Sequence, residues 1–327
     1  MSRTKKLVII FSCIFAVAAL GVGITLGILY GSGNSDFGTI FGGSNVNISE
    51  NGDLDMSGVK TLWVECASAD IHFVEADKAS VTLNGTVISP IPQKPHLTVS
   101  KQGETLNIKV ERDIFTLSLY SSLKLTVYLP GDNILDAKIV CSSGNIDMSG
   151  MQFGDLAVSR SSGNLKIEDC KAVMLDSDAS SGDTFIASSS IGSIDTFCHS
   201  GNTTIKDASG SVKVRATSGD IDVGGAEGAI DIGCTSGDVS LDMAGRNIGP
   251  VTVNMTSANL RFFVPKDAAF DLKANATSGD ITSDLPVTVS GTLPDSFVGE
   301  SISGSCNGGG KAVSLSSTSG DISIIGK

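Results

Sequence analysis

Apolar and polar positions alternate in step along most of this chain. On either side of a recurring Ser-Gly-Asp or Ser-Gly-Asn triplet, every second residue is aliphatic, aromatic or small, as expected of strands that send alternate side chains to opposite faces. With the motif glycine as origin, the series is Ala69, Gly144, Gly163, Gly182, Gly201, Gly219, Gly237, Ala258, Gly279 and Gly320. From Gly144 to Gly279 the steps are 19, 19, 19, 18, 18, 21 and 21 residues. Two and four residues after the origin stand inward positions such as Ile146 and Met148, Leu165 and Ile167, or Ile221 and Val223. Seven and five residues before it stand a second inward pair, such as Leu156 and Val158 or Val212 and Val214.

A fixed period of about one β-coil, with each repeat apolar on one face, predicts a solenoid whose repeats bury that face against their neighbours. Each coil contributes two short strands facing each other across a thin core. A hexapeptide left-handed β-helix would place one aliphatic every six residues, whereas the aliphatics here come in alternating pairs with gaps, which favours a flattened two-sheet stack. At ~4.8 Å between stacked strands, eight or nine coils make a rod roughly 40 Å long.

The period breaks twice. The step from Ala69 to Gly144 is 75 residues and holds four further alternating runs, Ser80 to Val87, His96 to Ser100, Thr105 to Val110 and Leu123 to Leu129, separated by turn signals. These predict a small antiparallel sheet budding from the first coil and capping the N-terminal edge, since an open stack of strands is an aggregation template. The 41-residue step from Gly279 to Gly320 contains the irregular stretch Pro286 to Gly310, expected to close the far end.

The N-terminus has another character. Leu7 to Tyr30 is an uncharged apolar run of 24 residues preceded by Arg3, Lys5 and Lys6, long enough to span a bilayer and flanked so that the N-terminus stays cytoplasmic. A cleaved signal peptide is the alternative, with Ala16-Val17-Ala18 in place of a cleavage site, but twelve more apolar residues come after it and make the segment too long. The organisation expected is therefore a cytoplasmic stub and transmembrane anchor over 1–30, a Gly/Ser linker over 31–45, an N-terminal β-sheet with the first coil over 46–135, and solenoid repeats over 136–327. The fold class is all-β apart from that one helix, and the localisation is a single-pass plasma-membrane protein with an extracytoplasmic C-terminal domain.

Charge narrows the partners. The net charge is −12, and without Arg3, Lys5 and Lys6 there remain 20 basic against 35 acidic residues, which excludes nucleic acid as a partner. The chain has seven cysteines. Cys13 falls in the apolar run, and Cys66, Cys141, Cys198 and Cys234 all stand three residues before an origin, an inward slot shared with alanines. Cys198 and Cys234 would lie two coils apart, ~10 Å, beyond the reach of a disulfide. Small buried thiols filling a core slot are expected, with Cys170 and Cys306 off register and their redox state open.

The stretch Leu123-Lys-Leu-Thr-Val-Tyr-Leu-Pro130, then Ile139-Val-Cys-Ser-Ser-Gly-Asn-Ile146, then serial Ser-Gly-Asp-Ile turns, resembles the bacterial putative-adhesin family of β-strand-repeat proteins over roughly Asn45 to Lys327. The resemblance implies a membrane-anchored extracytoplasmic solenoid with an adhesive or envelope-related role and no catalytic residues to carry over. The chain departs from the pattern at Ala69 and Ala258, at Arg160 in an inward slot, and in the polar coils around Gly182 and Gly201.

Two chemistries need weighing. β-Solenoids can host polysaccharide lyases and hydrolases with paired carboxylates on adjacent coils, and Asp220, Asp222, Asp231 and Asp238 are the candidates. Asp220 and Asp238, however, occupy a column one residue after the origin that accepts Asn and Asp alike, which is turn chemistry. Calcium is the other. The nearest fragment to a calcium-binding β-roll, Gly224-Gly225-Ala226-Glu227-Gly228, lacks the aspartate and does not recur, leaving only an adventitious cation between Asp220 and Asp238. His72, His96 and His199 share no spacing, so neither a metal site nor a triad is expected. No catalytic, cofactor or metal residue is assigned. The expected function is a membrane-anchored adhesin or envelope interaction protein that contacts a protein or cell-wall polymer through outward side chains such as Ser159, Lys166, Lys213, Arg215, Asp222 and Asp231; the alternative is a polysaccharide-acting enzyme. Trp63 stands one residue off the inward register and is expected to pack against the flanking sheet.

Overall fold

A computed structural model describes residues 44–89, 95–111, 120–131, 134–245, 248–289 and 300–327. All regular structure among these residues is β-strand, and no helix there is long and apolar enough to cross a membrane. The apolar run from Leu7 to Tyr30 lies outside the described residues.

Each repeat forms a long strand, a turn at the motif glycine and a short strand. In the central coils the long strands are Phe153–Ser162, Lys171–Ser181, Ser190–Ser200 and Ser211–Ser218, and the short ones are Leu165–Glu168, Thr184–Ala187, Thr203–Lys206 and Ile221–Ala226. Long strands pair with long and short with short, all parallel, so that Leu156 lies beside Leu175 and Ile167 beside Ile186. The register shifts between Phe153 and Leu156 against Leu135–Ser143 and between Gly224 and Ala226 against Val239–Met243. Two sheets of 14 and 13 strands result. Between them a single continuous core holds the inward residues read from the period, including Val158, Ile194, Val214, Ile221 and Leu241. The thin two-sheet stack is the expected one.

The order of coils is not the order of the chain. At the C-terminal end, Lys311–Ser319 lies between Val251–Ser257 and Phe270–Ser278, pairing parallel with both. Ile322–Gly326 likewise separates Leu260–Val264 from Ile281–Ser283. The chain therefore lays down its outermost coil before the last one, which fills the slot left between. Glu300–Cys306 then runs antiparallel along the outer edge of Phe270–Ser278, and Val287–Val289 pairs antiparallel with Glu300–Cys306 beyond it, so the stretch expected to close this end does cover one edge strand.

The N-terminal end repeats the device and corrects the sequence reading. Thr105–Glu111 and Tyr120–Leu129 pair antiparallel with His96–Gln102 and Ser80–Ser89 as expected, but along one edge only. Along the other they pair parallel with Thr61–Ser68 and Asp70–Glu75 and so add a further coil outside the first one. Ser44–Asp53, Ser80–Ser89 and His96–Gln102 have antiparallel partners only, as flanking strands. The first coil is thus an interior one, held between Thr105–Glu111 with Tyr120–Leu129 on one side and Leu135–Ser143 with Ile146–Ser149 on the other.

Stacked turns impose a close contact. Gly219 has φ +124°, and a Cβ there would stand 2.1 Å from the carbonyl oxygen of Gly201 in the coil before. Both the backbone angle and the space admit only hydrogen at this position. Ala258 replaces glycine where two 21-residue steps meet, and Ala69 does so where the stack meets the flanking coil.

Arg160 is buried in the inward column, and the small Ala179 beside it leaves room for its side chain. Its Nε donates to the carbonyl of Gly163 (3.1 Å), Nη1 to Ser177 Oγ (2.9 Å) and Nη2 to Thr184 Oγ1. Ser177 and Thr184 are therefore polar because they satisfy a buried guanidinium, whose pKa burial lowers; without partners such a charge would be costly to bury. In the next coil the buried hydroxyls of Thr196 and Thr203 make no hydrogen bond.

Gly219→Ala should lower stability by about 2–3 kcal/mol, since strained backbone and overpacking add. Gly224→Ala, at a site with nothing within 4 Å of the added Cβ, should fall within about 0.5 kcal/mol of the parent; paired urea titrations check both. Removal of residues 311–327 should leave residues 270–283 without their slot neighbour. Limited proteolysis should then cut within 265–306 while the coils from 135 to 245 stay resistant.

Candidate functional site

The column of repeated Asp and Asn is the first candidate, and its geometry is that of a hydrogen-bonded ladder. The side-chain oxygen of each member accepts a hydrogen bond from the backbone N–H of the equivalent residue one coil on. Asp70 accepts from Asn145 (2.8 Å), Asn145 from Asn164 (3.0 Å), Asn164 from Asp183 (2.8 Å) and Asp183 from Asn202 (2.8 Å). Asn202 accepts from Asp220 (2.9 Å) and Asp220 from Asp238 (2.9 Å). Past Ala258 the rung from Asn259 to Asp238 stretches to 3.4 Å. The ladder then follows space rather than sequence, with Asn259 accepting from Asp321 (3.0 Å) and Asp321 from Asp280 (2.9 Å). Asp and Asn are interchangeable here because both present an acceptor at the same distance from the backbone.

The four aspartates weighed as acid and base are dispersed. Asp220 and Asp238 are rungs of the ladder, Asp222 points outward from the short-strand sheet, and Asp231 lies on the opposite sheet in an ion pair with Arg215. No group of three His, Cys, Asp or Glu converges as a metal site among the described residues. The histidines are equally scattered. His72 faces Asp147 at 3.9 Å, with its pKa lowered mainly by burial, and His96 faces Glu50 at 3.5 Å.

What remains is the outer face of the long-strand sheet. Its register aligns two outward columns, one running through Trp63, Lys138, Ala157, Asp176, Asp195, Lys213 and Asp231, the other through Ser159, Asp178, Phe197 and Arg215. Lys213 pairs with Asp195, whereas Asp176 and Asp178 have no ion-pair partner among the described residues. They border a shallow groove of about 400 Å³ lined also by Lys138, Ile139, Ala157 and Ser159. Phe197, beside Asp178 in register, is 44% exposed, and Val173 and Met174 on the neighbouring strand are 67% and 41% exposed. Trp63 is half-buried beside Asn107 of Thr105–Glu111, with its indole Nε1 covered. It lies in the outward column with Lys138 Nζ 4.7 Å above its ring, a cation–π contact. Phe197 and the unpaired aspartates escape a reading by composition because only the cross-coil register brings them together.

A parallel stack of two-strand coils joined by a glycine turn defines a β-solenoid repeat protein. Residues 59–249 and again 224–325 match the family described as Toastrack DUF4097, and the chain belongs to that family. No curated protein matches it. Among solved structures it is similar to a putative adhesin from Parabacteroides distasonis ATCC 8503, with 13% identity, TM-score 0.44, and 86% of this chain and 97% of that one covered. A putative adhesin from Bacteroides fragilis NCTC 9343 gives 13% identity and TM-score 0.42 over 86% and 98% of the two chains. A protein described as putative lipid binding, from Parabacteroides distasonis ATCC 8503, gives 11% identity and TM-score 0.36 over 85% and 96%. The family resemblance read from the turns is therefore correct, and neither the family nor these structures is named for an enzymatic activity.

Asp220→Ala removes one rung and should cost about 1 kcal/mol, the usual net value of a hydrogen bond. Asp220→Asn keeps the acceptor and relieves the like charge of Asp238, so it should match or slightly exceed the parent in thermal and urea denaturation.

Proposed function

We propose that the chain is a non-catalytic, membrane-anchored scaffold that presents the outer face of its long-strand sheet to a protein or cell-wall polymer outside the cell. The observation that supports this reading best is the engagement of the repeated acidic side chains by backbone amides. The repeat is thereby a structural device, and the outward columns are the part left to contact another molecule. The exposed Phe197 beside unpaired Asp176 and Asp178 gives that face an apolar contact rimmed by charge, the composition of an interaction surface. Anchoring rests on the apolar run Leu7 to Tyr30, whose basic flank orients the β-domain outward.

The test uses the full-length tagged chain on intact cells. Added protease should remove the β-domain and leave a membrane-bound stub, and cross-linking should capture a surface protein or wall polymer whose recovery falls several-fold with Phe197→Glu. Protection of the β-domain until the cells are lysed would contradict the anchoring, and undiminished capture by Phe197→Glu would contradict the assigned face. Polysaccharide cleavage lost on Asp222→Ala or Asp231→Ala would overturn the non-catalytic reading.

A further inference from the structure

The inward slot three residues before each origin brings two cysteines together that are 75 residues apart in sequence. Cys66 and Cys141 are register partners on adjacent parallel strands, Thr61–Ser68 and Leu135–Ser143. Both side chains are buried on the same side of the sheet. Their thiols share the same inward slot of neighbouring coils, and Cys141 Sγ lies 3.9 Å from the carbonyl oxygen of Ala69. Register partners in neighbouring strands stand ~4.8 Å apart, inside the Cα separation of about 4.4–6.8 Å that a disulfide spans. The other described cysteines lack such a neighbour. The slot beside Cys198 holds Ala179 and Ala216, that beside Cys234 holds Ala216 and Met255, and Cys306 pairs with Phe270 and Val287. The Cys141 thiol beside it, together with burial, pushes the Cys66 thiol above its ordinary range, while the interaction with Cys66 holds the Cys141 thiol below its own.

From this geometry we infer that Cys66 and Cys141 are a disulfide-forming pair that staples the first coil to the second. The position has a physical rationale. The chain leaves the first coil after Glu75 and returns at Leu135, so the contact between these coils closes the longest excursion in the N-terminal half, where a crosslink removes the most chain entropy. It is also the coil whose origin is Ala69 rather than glycine. Both thiols are buried in the folded chain, so a small disulfide oxidant reaches them during folding, before the coils close over the pair. With glutathione disulfide as that oxidant, one cysteine thiolate attacks a glutathione sulfur and expels one glutathione thiolate, leaving a mixed disulfide. The second cysteine thiolate attacks the protein sulfur and expels the other. Two protein S–H bonds are lost, one S–S bond forms, and the two protons end on two glutathione thiols.

The inference is independent of membrane topology, because the oxidant can be supplied in vitro. The full-length chain in detergent is unfolded and refolded with reduced and oxidised glutathione, or with dithiothreitol alone, then alkylated in denaturant and digested without reduction. The oxidised sample should yield one linked peptide pair joining Cys66 to Cys141, with Cys170, Cys198, Cys234 and Cys306 alkylated. Its first thermal transition should rise by about 5–10 °C over the reduced sample. Cys141→Ala, which installs the alanine already present in this slot at 179, 216 and 276, should fold and lose the redox dependence of that transition. Alkylation of both Cys66 and Cys141 in the oxidised sample, pairing of either with another cysteine, or an undiminished redox dependence in Cys141→Ala would overturn the inference.

Discussion

Everything in this molecule hangs on the close approach of one turn to the next. Parallel strands of neighbouring coils come within hydrogen-bonding distance, and the backbone at the corner must then pass directly over the corner below. There a hydrogen atom fits and a methyl group does not: the Cβ that Gly219 lacks would meet the oxygen of Gly201. The residue after the glycine carries an acceptor that reaches the amide of the next coil, as Asp220 does for Asp238. Steric exclusion and a directed hydrogen bond thus act at adjacent positions, and together they hold register, because a slip by one residue would turn the inward side chains outward.

This constraint explains where the sequence is free and where it is not. Inward columns accept any side chain of suitable volume, which is why alanine, cysteine and methionine alternate in one slot. The same column accepts even Arg160 where Ala179 yields space and the hydroxyls of Ser177 and Thr184 accept its hydrogen bonds. Outward columns carry no such requirement, so charge, Phe197 and Trp63 vary along the rod without disturbing the coils beneath. A scaffold with fixed corners and variable faces suits contact with extended partners.

Much of the coil was legible in the sequence because its determinants are local. Strand alternation, the glycine corner and the Asp/Asn column all lie within a few residues of each other, and the side chains of Leu156, Val158, Leu165 and Ile167 fall where the period puts them. The neighbour relations were not legible, because every coil presents the same motif and the period cannot say which coil stacks on which. That is how Lys311–Ser319 comes to lie inside Phe270–Ser278, and why Thr105–Glu111, which forms a hairpin with His96–Gln102, also extends the parallel stack. The same blindness hid the Cys66 and Cys141 contact and the partners of Arg160, since each joins residues from different coils. The candidate face shares this limit: its columns could be enumerated, but the meeting of Phe197 with Asp178 is a product of register.

The central claim, that the Asp and Asn column is a backbone ladder rather than a reactive surface, is tested most directly by hydrogen exchange of its own amides. The N–H groups of Asn164, Asp183, Asn202, Asp220 and Asp238 belong to exposed turn residues, yet each is held by a side-chain oxygen of the coil before it. They should exchange orders of magnitude more slowly than an unstructured chain, with protection weakened at Asn259, where the rung is 3.4 Å. Exchange of the five at the rate of open loop amides would contradict the ladder and return their carboxylates to the pool of groups available for chemistry.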